Sequence, residues 1–320
     1  MNVNHTLQPI VTLARDLGRD TYSTSLELLK IMIPAVIVTK ILEELGLIVY
    51  ISQALEPVMG LMGLPGVLGL VWATAIFTTP YSAIVVFASL EPTLSLSTAQ
   101  VTILCSIMLI AHSLPVELSI SRKAGAGVLP IGMIRLSGAL TYGIILHNIC
   151  LYSGWLQEPA RMLFAFDGAE KTLVQWAVSQ IFNIGLIIFV LFCILIIIRL
   201  MKALGFLRLL ERLLIPVLPM FGMSHRAAPV TVVGMIMGIA YGGALIIRET
   251  TSGTMERRET FYSLALMNLS HGLVEDTLLM MALGGALAGI FFGRLLFSLA
   301  LIYILVKIVD FYHLQRTTKT

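Results

Sequence analysis

The sequence predicts an all-α integral membrane protein with two inverted structural repeats, each holding about three spanning helices and one re-entrant helical hairpin. Three observations lead to this fold class. Of the 320 residues, 58% are hydrophobic and 12% are charged, whereas about a quarter of the residues in soluble domains are charged. The chain matches itself without a gap at an offset of 159 residues. One long apolar stretch in each half, at 66–90 and at 228–247, is interrupted near its middle by residues that disfavour helix. We call these two segments the interrupted stretches.

The internal repeat includes rare residues as well as apolar ones. Histidine, arginine, glycine and proline recur at matched positions: Gly46, Pro57, Gly63, His112, Gly125 and Arg135 correspond to Gly205, Pro216, Gly222, His271, Gly284 and Arg294. Self-similarity at a fixed offset is typical of a structural repeat. In so hydrophobic a chain, matched breakers and ionisable groups indicate a secondary transporter, which binds its substrate between the halves.

The chain divides into five parts along its length. These are an N-terminal cytoplasmic or interfacial segment (1–25), the first repeat (26–152), an external connector (153–177), the second repeat (178–309) and a C-terminal tail (310–320). The first segment has no long apolar run, so we expect no cleavable signal peptide. Stretches that approach the roughly 20 residues of a spanning helix lie at 31–47, 101–121, 128–152, 181–198, 261–281 and 286–306.

The charges of the loops predict the topology. In the first half, the loop after the interrupted stretch (91–100) has no basic residue, and the next turn holds Arg122 and Lys123. In the second half the pattern reverses, because Arg248 and Arg257 follow the interrupted stretch. Cytoplasmic loops are rich in Lys and Arg. We therefore expect each interrupted stretch to dip into the membrane and return, with both termini in the cytoplasm. The alternative is a kinked spanning helix, which would make the repeats parallel.

The centres of the interrupted stretches are candidate substrate contacts. The first contains Thr78-Thr79-Pro80-Tyr81-Ser82, and the corresponding region carries Gly238, Tyr241, Gly242 and Gly243. Proline removes a backbone donor, and hydroxyls can bond freed backbone groups. Such non-helical backbone persists at membrane depth only beside protein or a water-filled cavity. The residues predicted to contact substrate are Thr78, Thr79, Ser82, Tyr241 and Asn268.

Ionisable residues in apolar surroundings mark a second candidate region. In His112-Ser113-Leu114-Pro115-Val116-Glu117 the proline cannot donate to the carbonyl of Ala111, so the helix should break beside His112. In the second half, the spacing of Asn268, His271 and Glu275 predicts one shared helical face. Charges within a membrane are costly and mark pathways or proton sites. The residues predicted to couple an ion are His112, Glu117, His271, Glu275 and Asp276. Alternatively, the histidines only form structural contacts between helices.

The remaining polar residues narrow the choice of function. Arg135 and Arg294 match across the repeat and could contact an anionic group, or could extend to the membrane interface. The three cysteines have no paired spacing, so neither a disulfide nor a zinc site is expected. The sequence has no stripe of basic residues that would indicate nucleic-acid binding. The sequence has no recognisable nucleophile and base, so an enzyme is not expected, and it implies no cofactor.

The chain resembles the nucleoside-recognition, or gate-domain, family of membrane proteins. The resemblance rests on Leu45-Gly46, Leu55-Glu56-Pro57, Met62-Gly63-Leu64-Pro65-Gly66, the interrupted stretch and Ala111-His112-Ser113-Leu114-Pro115-Val116-Glu117. It covers both halves, the first more clearly. Similar segments occur in concentrative nucleoside transporters, in the membrane part of the ferrous-iron transporter and in spore-maturation proteins. The resemblance implies a transporter-like fold with helical hairpins, without defining a substrate.

The leading functional hypothesis is a secondary transporter or permease of the cytoplasmic (inner) membrane. It would move a small polar solute, nucleoside-like or other, by alternating access, with H⁺ or Na⁺ as the coupling ion. One alternative is a divalent metal permease of the iron type, and another is a non-transporting partner in a membrane assembly. The expected partners are the lipid bilayer and a small molecule or ion, and a homo-oligomer is left open.

Overall fold

The computed structural model confirms the all-α fold class. It describes residues 32–90, 94–162, 172–251, 253 and 255–317, with scattered positions between 19 and 30; only the backbone is described at 240, 241, 251 and 312–317. No β-strand occurs in these ranges. Within them, four stretches are long and apolar enough to cross a membrane: Thr98–Lys123, Val128–Ser153, Leu173–Ala203 and Ala288–Phe311. The protein is therefore a membrane protein with several apolar helices.

The first half holds seven described helices. They are α1 (which includes residues 32–44), α2 (Leu47–Gly60), α3 (Leu68–Phe77), α4 (Pro80–Leu90), α5 (Thr98–Ile110), α6 (Leu114–Lys123) and α7 (Val128–Ser153). The second half follows the same plan. Its described helices are α8 (Leu173–Ala203), α9 (Phe206–Leu214), α10 (Ala227–Met237), α11 (Ile239–Thr251), α12 (Arg257–Ser270), α13 (Glu275–Ala282) and α14 (Arg294–Thr317). A π-helical turn, Ala288–Gly293, leads into α14.

The sequence repeat is visible in the local structure. Helices α2, α3, α4 and α5 begin 159 residues before α9, α10, α11 and α12, respectively. The capping box at the start of α5, formed by Ser97 and Gln100, corresponds to that of Glu256 and Glu259 before α12. The helix boundaries thus recur in both halves, although the capping residues themselves differ. That the second half is inverted in the membrane stays a prediction.

Each interrupted stretch forms a pair of short helices that pack against each other, α3 with α4 and α10 with α11. These helices contain 10 to 13 residues. At about 1.5 Å per residue they are roughly 15 to 20 Å long, whereas the hydrocarbon core is about 30 Å thick. A single helix of this length does not cross a bilayer, which supports the predicted hairpins. We call α3 with α4 the first hairpin and α10 with α11 the second.

The second hairpin differs from the sequence prediction at its tip. The break lies at Gly238, whose φ of 95° is in the left-handed region. Gly242 lies within α11 instead, where a Cβ atom would overlap the Cα of Gly234 in α10. The prediction that Gly242 belongs to a non-helical tip is therefore wrong. Glycine is required at position 242 because the backbones of α10 and α11 approach closely there.

The broken helices occupy the centre of the fold. Eleven of the 13 residues of α5 and ten of the 14 residues of α12 are buried, and these two helices contact each other and α7. The long α8, in contrast, has only four buried residues among its 31. Its apolar surface is therefore available to lipid. The polar residues of α5 and α12 are enclosed by protein, where polar groups of membrane proteins are expected.

Candidate cation site at the two helix breaks

The first helix break lies where the sequence predicts it. Helix α5 ends at Ile110, α6 begins at Leu114, and Pro115 occupies the first turn of α6. A proline is tolerated at that position because the first N–H groups of a helix have no intrahelical partner. Ser113 adopts a φ of 48°, which turns the chain sharply between the two helices. His112 therefore leaves the helical ladder and projects from the break.

The second break is also present, but its geometry was not predicted. Helix α12 ends at Ser270 and α13 begins at Glu275. Gly272 has a φ of 60°, and the carboxylate of Asp276 fills the space that a Cβ there would need. Asn268, His271 and Glu275 do not share one helical face, because the helix is interrupted between the last two. Glu275 points elsewhere and accepts a hydrogen bond from the hydroxyl of Tyr81, at 3.1 Å.

The two breaks bring three predicted ion-coupling residues together. Nε2 of His112 lies 3.0 Å from Nε2 of His271. Oε1 of Glu117 lies 3.3 Å from the first of these nitrogens and 3.1 Å from the second. All three side chains are buried, with 4%, 3% and 6% of their surface exposed for His112, His271 and Glu117, respectively. We call these three residues the central triad.

Backbone carbonyls determine the tautomer of both histidines. Nδ1 of His112 lies 2.9 Å from the carbonyl oxygen of Met108, and Nδ1 of His271 lies 3.0 Å from that of Met267. A carbonyl oxygen can only accept, so each Nδ1 must donate its proton. In a neutral imidazole the other nitrogen then carries a lone pair. When both imidazoles are neutral, each Nε2 therefore carries a lone pair, and each lies within 3.3 Å of Oε1 of Glu117.

Arg135 orients the carboxylate of the central triad. Its Nη1 donates to Oε2 of Glu117, while its Nε donates to the carbonyl of Ile110 at 2.8 Å. Asn268 lies 3.4 Å from the same Nη1 through Oδ1 and donates through Nδ2 to the hydroxyl of Ser121 at 3.0 Å. Arg135 is fully buried, so the interpretation that it extends to the membrane interface is wrong. The network leaves Oε1 of Glu117 facing the histidines.

Arg294 corresponds to Arg135 in the repeat but has different surroundings. It is also fully buried, which excludes the interfacial interpretation for this residue too. Its Nη1 lies 3.5 Å from the carbonyl oxygen of Leu109, and its Nε and Nη2 have no hydrogen-bond partner among the described residues. The last carbonyls of a helix lack intrahelical donors. Both arginines thus bond to the end of α5, although they belong to different halves.

The tip of the first hairpin touches the first break. The hydroxyl of Ser113 donates to the carbonyl of Thr78 at 2.7 Å, and the N–H of Ser113 donates to the carbonyl of Ala75 at 2.8 Å. The hydroxyls of Thr79 and Ser82 lie 3.1 Å apart at the start of α4. Three predicted substrate contacts, Thr78, Thr79 and Ser82, therefore lie beside the break that carries His112.

The other predicted residues are divided between structural contacts and undescribed positions. Asn268 belongs to the arginine network and uses its donors within the protein. The side chain of Tyr241 lies outside the described residues. Glu275 and Asp276 lie at the start of α13, where Glu275 accepts a hydrogen bond from Tyr81 and the carboxylate of Asp276 packs against Gly272, the residue after His271.

Sequence reasoning missed three polar residues that hold the region together: Tyr81, Ser113 and Ser121. Tyr81 and Ser113 lie inside the two segments that the sequence singles out, so their position was a usable signal. No sequence signal identified Ser121, because its hydrogen bond is to Asn268 of the other half.

Comparisons with known proteins support the membrane assignment. The chain is 25% identical over 267 residues to "Uncharacterized membrane protein YvoD" of Bacillus subtilis (strain 168), a match that covers 82% of this chain and 84% of that protein. No family model matches the chain. No solved structure matches it either. At this coverage the similarity extends over both halves of the chain, and it is to a membrane protein of similar length.

Proposed function

We propose that the chain is a secondary transporter or permease of the cytoplasmic membrane that moves a small polar solute by alternating access. A cation bound at the central triad would be coupled to that movement. One observation carries the proposal: three atoms with lone pairs, Nε2 of His112, Nε2 of His271 and Oε1 of Glu117, lie 3.0 to 3.3 Å apart inside the protein. Such an arrangement is repulsive unless a positive species lies among the three atoms.

The origin of the ligands supports a role in conformational change. His112 and Glu117 belong to the first half, and His271 belongs to the second. A cation at this place would attract groups of both halves, so its binding would favour the conformation in which the groups are close. Secondary transporters with repeated halves bind their ions where discontinuous helices meet between the repeats. The central triad lies at two such helix breaks.

The solute would bind beside the cation, at the tip of the first hairpin. Thr79 and Ser82 offer hydroxyls there, and Ser113 connects this tip to the break that bears His112. A movement of the tip would therefore be transmitted to the central triad through two hydrogen bonds. This arrangement supports coupling between solute and cation without a long chain of intermediate contacts.

The proposal is tested by uptake into proteoliposomes that contain the full chain. Labelled nucleosides and small carboxylates serve as the panel, and His271→Gln is compared with the matched variant His225→Gln, in an exposed histidine outside the site. We expect uptake of at least one solute above that of empty liposomes, a loss of about tenfold or more in His271→Gln, and little change in His225→Gln. No uptake, together with a partner of fixed stoichiometry on purification from native membranes, would favour the assembly role.

A further inference from the structure

We infer that the cation of the central triad is a divalent first-row transition-metal ion, bound by Nε2 of His112, Nε2 of His271 and Oε1 of Glu117. The inference rests on the proposed function, whose cation it identifies by chemical class. The three atoms can reach a common point, because all of them lie within 4.8 Å of one another. The choice among cations follows from the shape of this group, the elements that form it and the contacts behind it.

The shape of the triad fits a metal ion better than a proton. The three distances between its two Nε2 atoms and Oε1 of Glu117 are 3.0, 3.1 and 3.3 Å. Ligands bound to a metal ion at about 2.0 to 2.2 Å lie roughly 2.8 to 3.6 Å apart in octahedral or tetrahedral geometry. A shared proton lies between two acceptors and leaves the third facing their lone pairs. An ion about 2.1 Å from each of the three atoms, roughly 1 Å above the plane that contains them, satisfies all three at once.

The ligand elements distinguish among metal ions. Two of the three ligands are imidazole nitrogens. Imidazole suits zinc, iron, copper and nickel, whereas hard cations such as Mg²⁺ and Ca²⁺ prefer oxygen. By the same reasoning Na⁺, a hard cation, is poorly served by this group. Two histidines and one carboxylate also leave coordination positions open, which allows an ion to exchange.

The contacts behind the ligands are those that hold a metal ligand in place. A histidine that binds a metal through one nitrogen commonly donates the other N–H to a backbone carbonyl. His112 and His271 both do so, to Met108 and Met267. Glu117 is held through Oε2 by Arg135, which leaves Oε1 to bind the ion. The ligands are therefore oriented before any ion binds.

The test is a titration of the purified full chain with Co²⁺ in detergent. The protein carries an affinity tag without histidine and is first stripped with a chelator. We expect one Co²⁺ per chain, a visible absorption spectrum that shows nitrogen ligation, and displacement by Zn²⁺. His112→Gln and His271→Gln should each weaken binding at least about tenfold, since each removes one of three protein ligands. His225→Gln should bind as the wild type does.

The outcomes separate this inference from the proposed function. The absence of stoichiometric Co²⁺ binding by the wild type would overturn the inference, and so would wild-type affinity in His271→Gln. The wild-type spectrum decides even if the variants fail to fold. If solute uptake depends on His271 but the protein does not bind Co²⁺, the proposed function stands and the cation bound by the triad is a proton. Co²⁺ binding without uptake of any solute or metal ion would support the metal site and contradict the transport role.

Discussion

His112 and His271 occupy the same position in the two halves of the chain, and their Nε2 atoms lie 3.0 Å apart. Each histidine follows the end of a helix, and each donates its Nδ1 proton to a methionine carbonyl four residues earlier. The repeat thus forms one shared site from two equivalent residues. Its symmetry is incomplete, because the carboxylate that faces both rings is Glu117 of the first half.

The opposite orientation of the halves can be tested by cysteine labelling. Single cysteines at Ser95, Gly125 and Arg257, all exposed positions, are introduced into a variant without the three native cysteines. We expect Ser95 to react with an impermeant reagent from outside, and Gly125 and Arg257 only from the cytoplasm, because basic loops stay inside. Labelling of Ser95 and Arg257 from one side would contradict the inverted arrangement.

Replacing Glu117 by Gln should destabilise the protein strongly. The change removes the charge that faces the buried guanidinium of Arg135, and an unpaired buried charge costs about 3 to 5 kcal/mol. Thermal unfolding in detergent should show a lower midpoint. Glu43→Gln is the control, because Glu43 pairs with Lys40 at the surface, where ion pairs contribute about 0 to 1 kcal/mol. Equal midpoints in the two variants would show that Arg135 does not depend on Glu117.

Gly242→Ala should destabilise the second hairpin. Its Cβ would overlap the Cα of Gly234 across the contact of α10 and α11, and overpacking costs about 1 to 3 kcal/mol. Gly185→Ala provides a matched control within α8, because nothing lies within 4 Å of its Cβ. There, alanine should be neutral or slightly stabilising, since it favours helix. Thermal unfolding of both variants measures the difference, and comparable losses would argue against the close approach.

The hydrogen bond from Tyr81 to Glu275 should couple the first hairpin to the second half. Tyr81→Phe and Glu275→Gln each weaken the same contact, so we expect the double variant to lose less stability than the sum of the two single losses. Tyr142→Phe is a suitable control, because its hydroxyl bonds instead to the carbonyl of Gly289. Combined with Glu275→Gln, it should give additive losses. Strict additivity for Tyr81 and Glu275 would contradict the coupling.

The sequence predicted those features that depend on neighbouring residues. Pro115 and the repeat were sufficient to predict a break beside His112, because a proline at this position cannot donate to the carbonyl of Ala111. The same local reasoning gave two wrong predictions in the second half. It treated the chain from Asn268 to Glu275 as one helix, and it assigned Gly242 to a tip. In both cases glycine permitted more than one backbone conformation, and packing decided which was adopted.

The sequence by itself determined the membrane class, the repeat and the first helix break. Composition and self-similarity are properties of the sequence itself, and proline acts on the helix in which it lies. Only the tertiary structure decided that His112, His271 and Glu117 form one site, and that Arg135 is a buried partner rather than an interfacial residue. The two histidines are 159 residues apart in sequence, and their distance depends on how α5 packs against α12. The direction of their lone pairs likewise depends on where two backbone carbonyls lie after the helices end. These are properties of packed backbone, which no local pattern of residues specifies.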